Sequence, residues 1–338
     1  MRCPTLAELP PPPPGRTGWP WTEGCPPLPE TMPDGAPWPR ISIVTPSYNQ
    51  GAYIEETLRS ILLQGYPDLE YIVIDGGSTD GAVAVIERYA PWLNHWRSEP
   101  DDGQAHAINK GLALCTGDIF QFINSDDLLE PGALEHVALA MPGYDAVAGG
   151  VRHFGHGQEE VVFAKGLDPE TMLRRKARYQ QQGIWFRRNI LNQVGVFDES
   201  LDYIFDFEMG LRFFSRFDRL NYSNCVFSRF RRQPNSKTVT SRRRFQDEHI
   251  VLRWRVLEIT QDRHVQRICI RTIKRDQWYL RVEDILDSPN TKIEKFLNIS
   301  FGILSAPHIR FTRYSLGNLR QTLIDRSVTD SLKKVFNL

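Results

Sequence analysis

The sequence predicts an α/β fold in which a Rossmann-like, mainly parallel sheet is flanked by helices and followed by a helical C-terminal extension. Short apolar runs at residues 41–45, 71–74 and 119–123 each end in a polar turn. The segments between them place apolar residues at helical spacing, and strands alternating with helices imply right-handed βαβ crossovers and parallel pairing. Beyond Arg242 the pattern is helical and basic.

Residues 1–40 hold the run Pro10 to Pro14, then Trp19-Pro20-Trp21 and Trp38-Pro39, with neither a helical nor a strand period. This reads as extended, partly polyproline-like lead-in chain. Its three tryptophans indicate that part of it packs back on the domain. The period changes at Ile41, where residues 41–45 read as a strand. Ile54, Leu58, Ile61 and Leu62 then share one helical face. A second buried strand, 71–74, ends at Asp75. Two helices follow, one carrying Val85, Ile86 and Tyr89 and the other Ala105, Ile108 and Leu112. After the strand at 119–123 come a short helix at 131–140, a strand at 146–148 and a hairpin joining 151–154 to 160–163. Residues 184–186 suit a further strand, and Phe207, Leu211 and Phe214 mark a helix. The expected organisation is a lead-in (1–40), a domain at 41–240 with a nucleotide-binding half (41–150) and an acceptor half (151–240), and a basic helical extension (241–338).

The chain has 338 residues, enough for a sizeable core, and an ordinary soluble composition. No apolar run approaches a bilayer span and no signal peptide is read at the amino terminus, so a cytoplasmic protein is expected. Five scattered cysteines without a Cys-x-x-Cys pair argue against disulfide frameworks and zinc sites. Net charge is zero but unevenly placed. Residues 209–338 hold 26 Lys and Arg against 12 Asp and Glu, a net +14, leaving −14 on residues 1–208. Most of these charges are expected on solvated helix faces, but the asymmetry suits an anionic partner, with peripheral contact at the inner face of a membrane as one form. No nucleic-acid partner is expected.

The first strand leads into Thr45-Pro46-Ser47-Tyr48-Asn49-Gln50-Gly51, a polar turn whose backbone groups would be open to a ligand. The second leads into Asp75-Gly76-Gly77-Ser78-Thr79-Asp80-Gly81, where glycines allow close approach of a ligand and Asp75 can accept hydrogen bonds from a base or ribose. The alternative is a helix-cap turn with Asp80 or Ser78 as cap. The third ends in Asn124-Ser125-Asp126-Asp127. Hard cations such as Mg²⁺ or Mn²⁺ are held by one or two carboxylates together with substrate phosphates, and strand ends are where open α/β sheets bind ligands. Taken alone, Ser-Asp-Asp reads better as turn chemistry. Three successive polar strand ends favour ligand binding.

Together, residues 45–51, 73–81, 103–111 (Gly-Gln-Ala-His-Ala-Ile-Asn-Lys-Gly) and 124–127 resemble glycosyltransferase family 2. The resemblance covers about residues 40–240 and implies a GT-A fold and a nucleoside-diphosphate sugar donor. It implies that Thr45, Pro46 and Asp75 lie at the base and ribose, that Gln104, Asn109 and Lys110 lie near the donor, and that Asn124-Ser125-Asp126 is the Asp-x-Asp element. Asp126 is then the main ligand of a divalent cation, with help from Asp127. The chain departs from the pattern at Asn124, whose amide oxygen can still orient a ribose or a metal-bound water. The segment 201–212 resembles the family's acidic segment that supplies the catalytic base, a role assigned by position to Asp206, with Asp202 and Glu208 as competitors. Without that context Asp206 reads as a helix-start carboxylate favoured by the dipole.

A cationic loop follows, Arg231-Arg232-Gln233-Pro-Asn-Ser-Lys237. In relatives the position of Gln233 is often histidine, and glutamine is a poor replacement for an imidazole ligand. Arg231, Arg232 and Lys237 suit a diphosphate leaving group. His153 and His156 flank a turn with no acidic cluster beside them, and His106 is equally suited to packing and to substrate contact. The expected activity is inverting transfer of a sugar to an acceptor hydroxyl, on a glycan or lipid-linked acceptor, in glycan or polysaccharide synthesis. Two rivals are a scaffold that binds nucleotide sugar without turnover, kept open by Asn124 and Gln233, and a nucleotidyltransferase.

Overall fold

A computed structural model describes residues 1–233 and 241–323. The chain forms two compact units, Met1–Thr240 and Ser241–Leu338. In the first, strand β1 (Ile41–Ser47) lies between β2 (Leu69–Asp75) and β4 (Ile119–Phe122), parallel to both, and β3 (His95–Ser98) adds a parallel edge. Every residue of β1, β2 and β4 is buried, as near-continuous apolar strands covered on both faces must be. Beyond β4 the sheet turns mixed. β8 (Ile184–Arg187) pairs antiparallel with β4 and with β6 (Ala146–Gly155), while the long β9 (Leu220–Arg232) runs parallel to β6. β5 (Leu128–Leu129) pairs antiparallel with β9, and β7 (Glu160–Phe163) forms the expected hairpin with β6. The nine strands thus make one sheet, in the order β3-β2-β1-β4-β8-β6-β9-β5 with β7 beside β6.

The crossovers are α1 (Ile54–Leu62), α2 (Ala82–Tyr89) and α3 (Gln104–Leu114). Helix α1 buries Ile54, Leu58, Ile61 and Leu62, the stripe its spacing predicts. Helix α3 sits hard on β1: a side-chain carbon at Gly111 would come within 2.5 Å of Val44, so only glycine permits this approach. α4 (Ala133–Ala140), α5 (Pro169–Leu173), α6 (Arg188–Val194) and α7 (Phe205–Phe214) complete the unit.

The proline-rich lead-in is folded onto this unit. Cys3, Leu9, Trp21, Met32 and Trp38 are buried, and the Trp38 ring meets Tyr66 edge-on. Arg59 of α1, fully buried, donates to the carbonyls of Pro10, Pro20 and Trp21 and to the Tyr89 hydroxyl at 2.8–3.0 Å. These carbonyls stand where a carboxylate partner would otherwise be needed, because a buried guanidinium must be fully hydrogen-bonded to be tolerated. Trp19 Nε1 donates to the Leu129 carbonyl at 3.0 Å, tying the lead-in to the chain just past the acidic turn.

The second unit is helical, as its basic pattern predicts: α8 (Arg242–Ile259), α9 (Arg263–Asp287), α10 (Lys292–Ser305), α11 (Pro307–Arg310) and α12 (Arg313–Leu323). Asp262 caps α9, and Thr291 with Glu294 forms a capping box on α10. Trp278, Val282, Ile299 and Ile303 form an apolar cluster where α9 meets α10. No helix among the described residues is long and apolar enough to cross a membrane.

Candidate active site

The carboxyl ends of β1, β2 and β4 bring most of the expected residues to one edge of the sheet. Thr45, Pro46 and Ser47 close β1, with Thr45 Oγ1 3.0 Å from the Tyr71 hydroxyl. At the end of β2, Asp75 is buried and accepts from Gly77 N (3.1 Å), Ser78 N (2.9 Å), Ser78 Oγ (2.5 Å) and Ser98 Oγ (2.7 Å). Four donors match the lone-pair capacity of a carboxylate, so the charge is fixed in place and a nucleoside hydroxyl must share or displace a serine. Ser98 belongs to β3, an edge strand whose sequence carries no clear strand pattern. The turns are stapled together: Asn49, at φ +52°, accepts from Thr79 N, and Asp80 accepts from Gly51 N at 2.7 Å. Asp80 also accepts from Ala82 N at 3.1 Å, so it serves the start of α2 as well.

Next to this turn lies the segment that opens α3. A side-chain carbon at Gly76 would sit 2.8 Å from Asp101 Oδ2, and Asp101 Oδ1 accepts from Gly103 N at 2.9 Å. Gly103, at φ +114°, turns the chain into α3 and leaves room beside Asp202, whose Oδ1 would be 3.9 Å from a carbon there. Gln104 donates to Asn124 Oδ1 at 2.7 Å, linking α3 to the acidic turn. Asn109 is used differently: both ends of its amide hold the 197–199 segment, donating to Phe197 O and Glu199 and accepting from Phe197 N. It thus braces the chain that leads to α7. Lys110 pairs with Glu99 at 3.0 Å.

At the acidic turn the two aspartates separate in role. Asp127 is fully buried and points inward, accepting from Asn124 Nδ2 (3.1 Å), Gln182 Nε2 (2.9 Å) and Arg231 N (3.0 Å). Asp126 stays partly exposed beside Ser125, and its Oδ2 accepts from Gln233 Nε2 at 2.5 Å. Burial pushes both carboxyls above the usual carboxylate range, and the Asp126 charge adds to the rise at Asp127. A cation beside Asp126 would relieve both. Among the described residues no group of three or more His, Cys, Asp and Glu is placed to hold a metal. A cation here would be held by the Asp126 carboxylate and completed by substrate phosphates rather than by an all-protein cage.

Arg231 wraps this turn. Its Nη2 meets Glu56 at 2.9 Å, its Nε donates to the Asp126 carbonyl at 2.9 Å, and its guanidinium lies over the rings of Phe154 and Tyr53. Arg232 turns away to His153 Nδ1, at 2.9 Å, and Glu160. His153 is thus held in a packed contact rather than a metal site. Lys237 lies outside the described residues.

The start of α7 reaches the same edge because Phe205 packs on Phe122, the last residue of β4, and on Phe197. Asp206 is in the first turn, and its carbonyl accepts from Tyr179 at 2.6 Å. Burial, with the charges of Asp206 and Glu208, pushes the Tyr179 phenol well up, which keeps it a donor. Glu208 is buried in a two-point pair with Arg212 at 2.5 and 2.8 Å, whereas Asp202 is exposed. Gln182 and Glu56, which hold Asp127 and Arg231, carry no signal in the sequence. Their roles exist only once distant segments meet.

The family model Glycosyl transferase family 2 matches residues 42–205. An uncharacterized glycosyltransferase of Mycobacterium tuberculosis is 30% identical over 185 residues, 52% of this chain and 68% of that protein. A putative teichuronic acid biosynthesis glycosyltransferase of Bacillus subtilis, TuaG, is 37% identical over 100 residues, 29% of this chain and 40% of that protein. Among solved structures, Staphylococcus aureus TarS in complex with UDP-GlcNAc superposes with a TM-score of 0.60 at 17% identity, covering 87% of this chain and 92% of that one. The Pyrobaculum calidifontis mannosyltransferase PcManGT, in complex with GDP-Man and Mn²⁺, gives 0.53 at 19%, covering 89% and 88%. At such identities the two structures establish the shared GT-A fold. With its ordered turns at the sheet edge and a relative matched over two thirds of that relative's length, the chain belongs to glycosyltransferase family 2.

Proposed function

We propose that the protein transfers a sugar from a nucleoside-diphosphate sugar to an acceptor hydroxyl, with inversion, in glycan or polysaccharide synthesis. The observation that carries this is the convergence of Asp75, Gln104, Asn124 and Asp126 with the start of α7 at one edge of the sheet. The nucleotide-sugar ligands of the TarS and PcManGT structures, UDP-GlcNAc and GDP-Man, support the donor class. In this reading residues 41–150 bind the donor and 151–240 the acceptor. The base and ribose lie against Thr45, Pro46 and Asp75, and Ser125, Asn124 and Gln104 shape the floor below the diphosphate. Lys110 and Asn109 act from α3, the first near the donor and the second by bracing the approach to α7. Arg231 reaches a phosphate only on leaving Glu56; Lys237 is the other cation assigned to the leaving group.

Asp206 takes the proton of the acceptor hydroxyl as that oxygen attacks the anomeric carbon opposite the leaving group. The new C–O bond forms while the bond to the diphosphate breaks, and one direct displacement inverts the centre. A Mg²⁺ or Mn²⁺ on Asp126 would supply Lewis-acid stabilisation of the departing diphosphate. A half-turn of the Gln233 amide would present its oxygen toward that position in place of the N–H. The net positive charge of residues 209–338 supports peripheral contact with an anionic surface such as a membrane carrying a lipid-linked acceptor. The test is incubation with a panel of nucleoside-diphosphate sugars, in Mn²⁺ and in chelator, reading release of nucleoside diphosphate. Release is the expected result. Donor binding with no release would assign the site to a non-catalytic sugar-nucleotide binder, and pyrophosphate from triphosphates would assign it to nucleotidyl transfer.

A further inference from the structure

Helix α10 is amphipathic twice over. Its inner face, Ile299 and Ile303, packs on Trp278 and Val282, and the contact is so close that a side-chain carbon at Gly302 would overlap the Trp278 ring. Its outer face is also apolar: Ile293 is 72% exposed, Leu297 50%, Phe301 75% and Leu304 74%. At about 100° per residue these four fall within a stripe roughly 80° wide, opposite Ile299 and Ile303. Phe311, just past α11, is 63% exposed and extends the apolar surface. Aligned large apolar side chains this open are not ordinary surface scatter.

The surroundings identify what covers the stripe. From 292 to 323 the chain carries five Lys and Arg against one acid, Glu294. Arg310 lies over the Trp278 ring on the inner side of the helix, donating to the Gly302 carbonyl at 3.0 Å, and Arg271 reaches the His308 carbonyl. A second copy of this chain would set two net-positive segments against each other. An anionic surface with an apolar interior satisfies both features, since interfacial helices combine a Phe/Leu face with Lys and Arg that meet anionic headgroups. We propose that α10 lies in the headgroup boundary of an anionic membrane, inserting Ile293, Leu297, Phe301 and Leu304. This rests on the charge reading given above and adds the element that enters the lipid; it is independent of the transfer chemistry.

The test is sedimentation of the full chain with extruded vesicles of phosphatidylcholine, with and without phosphatidylglycerol. Binding is expected to the anionic vesicles, to weaken with salt, and to fall roughly ten-fold or more in Phe301→Glu/Leu304→Glu. Both positions are open to solvent, so circular dichroism and release of nucleoside diphosphate in lipid-free buffer should be unchanged; Phe301→Ser serves if the double variant does not fold. Undiminished binding by the variants would leave the charge attraction standing and overturn insertion by α10. No binding by the wild type would overturn both. Self-association in lipid-free buffer that the double variant abolishes would make the stripe a contact between copies and overturn the membrane assignment.

Discussion

Asp206→Asn separates catalysis from architecture, because the two roles predict effects of different size. Tyr179 bonds the Asp206 carbonyl, Phe205 supplies the packing on Phe122 and Phe197, and neither contact uses the Asp206 carboxylate. The substitution also removes one negative charge from the first turn of α7, a helix-start effect worth about 0.3–1 kcal/mol. What it removes from the reaction is the proton acceptor, worth roughly 10²- to 10⁴-fold in kcat, or about 3–5 kcal/mol at 1.36 kcal/mol per decade. The assay is steady-state release of nucleoside diphosphate alongside donor affinity and thermal melting. The expected result is kcat down by about two decades or more, donor Kd unchanged and melting nearly so. Glu208→Gln is the control: it breaks the two-point pair with Arg212, whose guanidinium also holds the Val194 and Val196 carbonyls. A stability loss of about 1.5–3 kcal/mol should follow, of the size of a hydrogen bond to a charged group, with kcat changed far less. Near-normal kcat in Asp206→Asn would refute the assignment and move it to Asp202. Parallel loss of donor affinity and stability would make Asp206 a structural residue.

Asp126→Ala is expected to abolish turnover and to remove the Mn²⁺ dependence of nucleoside-diphosphate binding in calorimetry, with excess chelator reproducing both; full activity in chelator would exclude the cation. Because burial raises the Asp127 carboxyl above its unfolded value of 3.8, its contribution to stability is complete below that value and is lost as pH rises through the folded one. The melting temperature of the metal-free wild type relative to Asp127→Asn should therefore decline as pH rises, and a flat difference would contradict it. Arg59→Ala strands three carbonyls and the Tyr89 hydroxyl without their charged donor, which should cost about 3 kcal/mol or more in urea unfolding and expose residues 10–21 to protease. A loss under about 1 kcal/mol would mean the lead-in is held by its tryptophans alone.

The segment from Ile41 to Phe122 was legible because it obeys one-dimensional rules. Buried parallel strands read as continuous apolar runs, α1 as a repeating stripe, and the glycine-bearing turns as breaks between them. β3 was not, since His95–Ser98 is an edge strand with only partial burial and no apolar alternation to announce it. Residue types near the site were legible, but their partners were not. Nothing local distinguishes Asp126 from Asp127; the difference comes from Gln182 and the Arg231 backbone, 55 and 104 residues away. Likewise a cationic run predicts phosphate contact at Arg231, whereas Glu56, 175 residues earlier, holds its guanidinium. Sequence motifs mark where the chemistry gathers, and long-range pairing decides which atom faces it.

Helix α1 joins parts of the site that are remote in the chain. Thr57 Oγ1 donates to the Asp127 carbonyl, Ser60 Oγ accepts from Leu129 N, and Gln64, just beyond the helix, bonds both Glu130 O and Leu134 N. On its other flanks Glu56 holds Arg231 and Arg59 holds the lead-in. A single helix thus sets the relative height of the acidic turn and the end of β9. For anyone building chimeras to exchange donor preference, residues 54–64 and 127–134 form one interlocking part. Transplanting either alone would leave hydroxyls and amides facing the wrong backbone, and the graft would misplace Asp126 even with every motif residue retained.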